Sequence, residues 1–220
     1  MNLPFTPEGF FEVFIRYNQS VWPTQLILHA IGLLCAVTLL RTNATADRIR
    51  SMVLALLWAW MGIVYHLVFF ARINPAAWLF GALFLAGSAS FLWFGVLTNQ
   101  LRFRAVGGVR GIPGWTLVVF SLALYPAIGY ALGHRYPAVP TFGLPCPTTI
   151  FTLGLLLFAE PPVPRAVFIV PVLWAAVGSL AAFWFGVYED LALMVAGVAG
   201  LFAAVFWHRP ANRALRASRP

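Results

Sequence analysis

The chain has 220 residues, of which 61% are hydrophobic and only 9% charged, with a formal charge of +8. Soluble domains carry about 25% charged residues, so a fully soluble surface is excluded and much of the exterior is expected to face lipid. Lysine is absent and all fourteen basic residues are Arg, which removes any Schiff-base pigment built on a lysine.

The first segment, "MNLPFTPEGFFEVF", has no basic run before an apolar stretch and carries two Glu. It does not read as a cleaved signal peptide. Thr6 is a candidate N-cap, Pro7 fits the first helical position, and Glu8 favours the first turn. Glu8, Glu12 and Arg16 recur on one face while Phe10, Phe11, Phe14 and Tyr17 fill much of the rest. The pattern predicts an interfacial amphipathic helix over 7–20, lying on the bilayer; a helix packed on a soluble partner is the alternative.

A spanning helix needs about 20 mostly apolar residues. Seven stretches are candidates: 22–40, 51–70, 74–97, 115–133, 147–160, 166–187 and 190–207. The fifth is short and flanked by prolines. The predicted fold is all-α, a single integral membrane domain with a seven-helix bundle over 22–207 and a basic tail over 208–220. Arginine bias sets the orientation. The segments on the N-terminal side hold Arg16, Arg72 and Arg135, and those on the opposite side hold the other eleven. The N-terminus is therefore expected outside and the C-terminus in the cytoplasm, with the tail on anionic lipid headgroups.

An internal repeat is a further candidate. "LWAWMG" at 57–62 aligns with "LWAAVG" at 173–178, and "WPTQLI" at 22–27 with "CPTTIF" at 146–151. A repeat of this kind makes spans 1–3 and 5–7 parallel copies joined by span 4, as in some transporters. This 3+1+3 plan is similar to that of the PQ-loop and sugar-facilitator class, whose Pro-Gln pair is approximated by Pro23-Thr24-Gln25 and Pro147-Thr148-Thr149. A closer resemblance covers most of the chain. The blocks "LPFTPEGFFEVFIRYNQSVWPTQ" and "TFGLPCPTTIFTLGLLL" resemble an uncharacterised family of bacterial integral membrane proteins. That resemblance implies a polytopic protein of a bacterial inner membrane and brings no activity or site with it.

Ionisable groups inside a membrane are costly and mark candidate sites. Gln25 and His29 share a stripe of the first span; Trp58, Tyr65 and His66 share one on the second; Thr148 and Thr152 are one turn apart on the fifth. Small and polar stripes face the bundle, so these seven residues are expected to line one outward-facing polar cavity. His134, Cys146, Glu189 and Asp190 fall at the outer ends of their spans and are expected to form its vestibule. Bland roles exist for each: a histidine bonding a neighbouring helix, aromatic belt residues, a turn. "GLPCPTTIF" at 143–151 is read first as the start of a helix, with Pro147 at its first position and Cys146 near the N-cap, and second as a reactive thiol. Cys35 and Cys146 lie at different depths, so a disulfide between them is not expected; Cys35 reads as core. Gly87–Ser90, "GSAS", reads as a close helix contact.

No nucleophile elbow, phosphate loop or metalloprotease motif occurs, and an enzyme has no motif behind it. The leading function is a small-solute or ion transporter. The alternatives are an intramembrane redox subunit, with His29 and His66 as haem ligands or a metal site including Cys146, and a sensory or scaffold subunit. The cofactor stays undetermined. Expected partners are lipid, a small solute or ion, and further copies or subunits of a membrane complex; nucleic acid is not among them.

Overall fold

A computed structural model describes residues 5–105, 107–108 and 111–206. The tail over 208–220 lies outside the described residues. All regular structure in the described residues is helical, with no strand beyond two isolated bridges.

Helix α1, Pro7–Ser20, begins as its sequence dictates: the Thr6 hydroxyl accepts from Gly9 N at 3.2 Å, and Pro7 opens the helix. Backbone N–H groups at this helix start hold the Glu8 carboxyl below its usual range, with the Thr6 hydroxyl adding to the effect. Glu8, Glu12 and Arg16 are exposed, and Glu12 pairs with Arg16 at 3.0 Å. The apolar face, however, is not left for lipid. Phe10, Val13, Phe14 and Tyr17 are buried against the chain's own bundle. The large aromatic side chains stack on Phe70, Phe185 and Tyr65, contacts worth more than their area alone. Helix α1 therefore closes one end of the bundle, at 87° to the next helix.

That next helix, α2 (Thr24–Val37), continues as a 3-10 turn to Leu40. Helix α3 (Ala44–Trp60) runs on through a π-helical stretch, Met61–Phe69, to Arg72. Helix α4 (Ala77–Phe91) ends in a second π stretch, Leu92–Leu97. Helices α5 (Ile112–Val119) and α6 (Tyr125–Ala131) are joined by a third. After a loop come α7 (Pro145–Leu156), α8 (Ala166–Phe185), and α9 (Ala192–Phe206), the last preceded by a 3-10 turn at Tyr188–Leu191. Five helical segments among the described residues are long and apolar enough to cross a membrane, and six if the bent pair α1–α2 is one span. Their exposed faces carry large apolar side chains, such as Leu34, Trp78, Val195 and Phe202, as lipid contact demands.

The expected fifth span is not a span by length. Helix α7 has 12 residues, about 18 Å, against a hydrocarbon core of about 30 Å. Eleven of the twelve are buried. Sheltered on all sides, α7 need not be long, because irregular backbone is tolerated at membrane depth inside protein. An inward-folded loop meets it: Leu101 and Phe103 are fully buried, Arg104 N donates to Phe158 O, and Glu160 N donates to Arg102 O.

The second predicted span starts too late. Helix α3 begins at Ala44, because the Asn43 side chain caps it by accepting from Ala46 N at 2.8 Å. Its first turns therefore contain Arg48 and Arg50, read above as loop residues.

Candidate functional site

The helices leave two separate cavities at the α1 end, and the start of α7 stands between them. Pro140 and Pro147 border both.

The larger cavity has a volume of about 200 Å³. Aromatic rings make most of its wall: Phe10 and Phe14 from α1, Tyr65 and Phe70 from the end of α3, Phe80 from α4, and Trp174 from α8. Sequence dictates this. The α1 aromatic stripe turns inward, and the π-helical widening of α3 sets Tyr65 and His66 in consecutive buried positions, as such stretches do near functional sites. No charged side chain lines this cavity.

The smaller cavity, about 150 Å³, is bordered by Gln25, His29, Ser121, Tyr125 and Thr141. Gln25 and His29 therefore share a cavity, as their stripe on α2 implies. The other five residues expected beside them are elsewhere. Tyr65 lines the aromatic cavity. Trp58 and Thr152 are both fully buried, and the Trp58 indole donates to the Thr152 hydroxyl at 3.1 Å. Thr148 accepts from Gly143 N at 3.0 Å, tying off the turn before α7. His66 is fully buried in a box of Tyr65, Phe70, Phe80, Phe84 and Trp174, and neither ring nitrogen has a hydrogen-bond partner. His29 and His66 do not line a common cavity.

The four vestibule residues do come together, with the two carboxyl groups buried and His134 and Cys146 half-buried beside them. Glu189 and Asp190 are each 2% exposed. The His134 ring Nδ1 meets Glu189 Oε1 at 2.7 Å. Asp190 accepts from the Tyr125 hydroxyl at 2.6 Å, and the Cys146 thiol lies beside the same carboxyl. The cluster reaches both cavities, since Cys146 lines the aromatic one and Tyr125 the smaller one. Nothing around Tyr125 in the sequence signals a partner 65 residues away. Cys146 is the second residue of α7, with Pro145 at the first position and Leu144 at the cap. The sequence reading set this helix start two residues late, because either proline suits the first turn.

A polar cluster that the sequence reading missed lies at the far end of the bundle. Asp47 and Arg50 form a buried ion pair at 2.6 Å. Arg50 also donates to the Thr38 and Arg41 carbonyls at the end of α2, where a cation suits the helix terminus. Asp47 accepts from Phe103 N at 3.0 Å and faces Arg104 at 3.4 Å. Arg104 pairs with Glu160 at 3.4 Å. Among the described residues no group of three or more His, Cys, Asp and Glu is arranged to hold a metal ion.

The model of one protein family matches residues 7–215: DUF6064, a family of unknown function. No curated protein and no solved structure matches the chain.

Proposed function

The chain belongs to the DUF6064 family, whose function is unknown, and we propose that it is a membrane carrier for a small aromatic or similarly apolar-bodied solute, which enters the aromatic cavity at the α1 end. The observation that carries this reading is the cavity wall itself. A concave, largely apolar space with a few polar groups is the usual form of a small-molecule site. Here the polar groups include the Cys146 thiol, with Asp190 behind it, the Asn74 side chain, the Tyr65 hydroxyl and the Trp174 indole N–H. The wall selects against sugars and zwitterions, which would lose their hydration without replacement hydrogen bonds.

In this reading the chain crosses a bacterial inner membrane seven times. The fifth crossing combines α7 with the turn and loop residues that follow it. The α1 end faces outward, in keeping with three Arg on that side against eleven on the other. Helices α2–α4 and α7–α9 are then two copies joined by α5–α6. Supporting this plan, Gly62 of α3 sits against α4 and Gly178 of α8 sits against α9, at matching positions of the two "LWA" blocks.

Binding of radiolabelled benzamide and benzyl alcohol, both uncharged, to the protein in lipid nanodiscs tests the reading, with glucose and glycine as counter-panel. Saturable binding of the aromatic compounds alone is expected. Val177 lines the cavity from a position 42% exposed, so Val177→Trp fills the space without crowding the core and should weaken binding at least about tenfold. Equal binding by the variant, or no saturable signal from any compound, contradicts the proposal.

A further inference from the structure

The smaller cavity has an unusual balance of hydrogen-bonding groups, fixed by a chain of side chains that starts at Asn18. The Asn18 amide donates to Pro137 O and Val139 O, both at 2.7 Å. Its Oδ1 must then face the other way, where it accepts from the Thr141 hydroxyl at 2.9 Å. Gln25 consequently meets only acceptors on Asn18. Its amide nitrogen donates to Asn18 O at 2.6 Å and to Oδ1 at 3.4 Å. This network assigns the Gln25 amide orientation and leaves Oε1 buried without a partner, on a side chain 5% exposed that lines the cavity.

The remaining lining groups have spent their donors as well. The Ser121 hydroxyl donates to Val118 O at 2.9 Å, and the Tyr125 hydroxyl donates to Asp190 at 2.6 Å. Thr141 is committed to Asn18. Pro126, Pro140 and Pro147 have no backbone N–H to offer. Of the polar lining side chains, His29 keeps a free ring N–H or lone pair. The polar side chains of the cavity thus offer oxygen lone pairs from Gln25, Ser121, Tyr125 and Thr141, while their own donors are committed elsewhere, His29 excepted. Donation by Tyr125 to a carboxyl further polarises its oxygen towards accepting. A buried acceptor left unmatched is costly, and no cationic side chain lines the space.

We propose that this second cavity binds a small protonated amine, an ammonium or primary alkylammonium group, whose N–H donors meet Gln25 Oε1 and the neighbouring oxygens. The site is independent of the aromatic cavity and stands or falls separately. Two sources supply this chemistry: a free amine, and the ethanolamine headgroup of a lipid. The test is the thermal stability of the full chain in nanodiscs of phosphatidylcholine, titrated with methylammonium chloride. Tetramethylammonium chloride at equal ionic strength is the comparison, since it has the charge and no N–H donor.

A saturable rise in Tm with methylammonium alone is expected. Gln25→Met should raise the half-saturating concentration about tenfold, the loss of one charge-assisted hydrogen bond. His29→Phe, at a half-buried position, is the second variant if Gln25→Met does not fold, and it should weaken binding by a smaller factor. Replacing part of the lipid with phosphatidylethanolamine separates the sources. A rise in Tm that also masks the methylammonium effect identifies the headgroup, and an unchanged methylammonium response identifies the free amine. An equal response to both cations, no response to methylammonium or ethanolamine lipid, or full retention of the response in Gln25→Met overturns the proposal; water would then be the cavity's occupant.

Discussion

Asp47 and Arg50 show what a single residue can do that hydropathy does not reveal. In the sequence they sit in a charged stretch that reads as a loop. In the fold Arg50 is fully buried, with one carboxylate and two backbone carbonyls around its guanidinium. Removing one member leaves the other charge buried, which costs about 3–5 kcal/mol in comparable pairs. Arg50→Met should therefore lower the unfolding temperature in detergent sharply. Asp47→Asn, which keeps an oxygen for Phe103 N, should cost less, and the opposite order would contradict this arrangement. A milder case is Trp58, whose indole N–H has Thr152 as partner. Thr152→Val leaves that donor without a partner inside the core, at a cost of about 1–3 kcal/mol. The stripe of Gln25 and His29 was legible because a polar pair at helical spacing has few other uses in a span. Trp58 and Thr152 were grouped by their depth and polarity, but their direct hydrogen bond and the Tyr125–Asp190 bond were not legible, because each joins residues more than sixty positions apart and no local pattern encodes a specific partner.

At the scale of elements, apolar length located the long helices well and overestimated the length of α7. Residues 147–160 are hydrophobic enough for lipid, but hydropathy does not distinguish a helix in lipid from one buried inside protein. The separating signal is density of contact. A Cβ on Gly154 would lie 2.9 Å from Leu117 Cβ and 3.0 Å from the Val118 backbone N, so α5 and α7 touch nearly backbone to backbone, as small residues permit. Gly154→Val should destabilise the protein by about 1–3 kcal/mol, read as a loss of folded yield and of Tm. Gly107→Ala, where the added Cβ meets nothing within 4 Å, should leave both unchanged. Helix α1 was placed correctly by its cap and its charged face. Its aromatic face was assigned to lipid because amphipathicity names a face and leaves its neighbour open. "GLPCPTTIF" proves to be a helix start, yet its cysteine lies beside Asp190 and the segment divides two cavities, so punctuation and site coincide there.

For the whole molecule, charge asymmetry gives a topology with a direct check. In a background with Cys35 and Cys146 replaced by Ser, Gln19→Cys in α1 and Thr42→Cys at the far end are both at exposed positions. A membrane-impermeant maleimide should label Gln19→Cys in intact cells and Thr42→Cys only after permeabilisation. The reverse pattern would invert the orientation, and the aromatic cavity would open to the cytoplasm. The account as a whole rests on that cavity holding a solute that the protein carries. Uptake of radiolabelled benzamide into proteoliposomes containing either the parent chain or Val177→Trp measures this most directly. The account predicts saturable uptake by the parent, above empty liposomes, and its loss in the filled-cavity variant at equal folded yield. Uptake that is equal in the two, or that never exceeds empty liposomes, would contradict it.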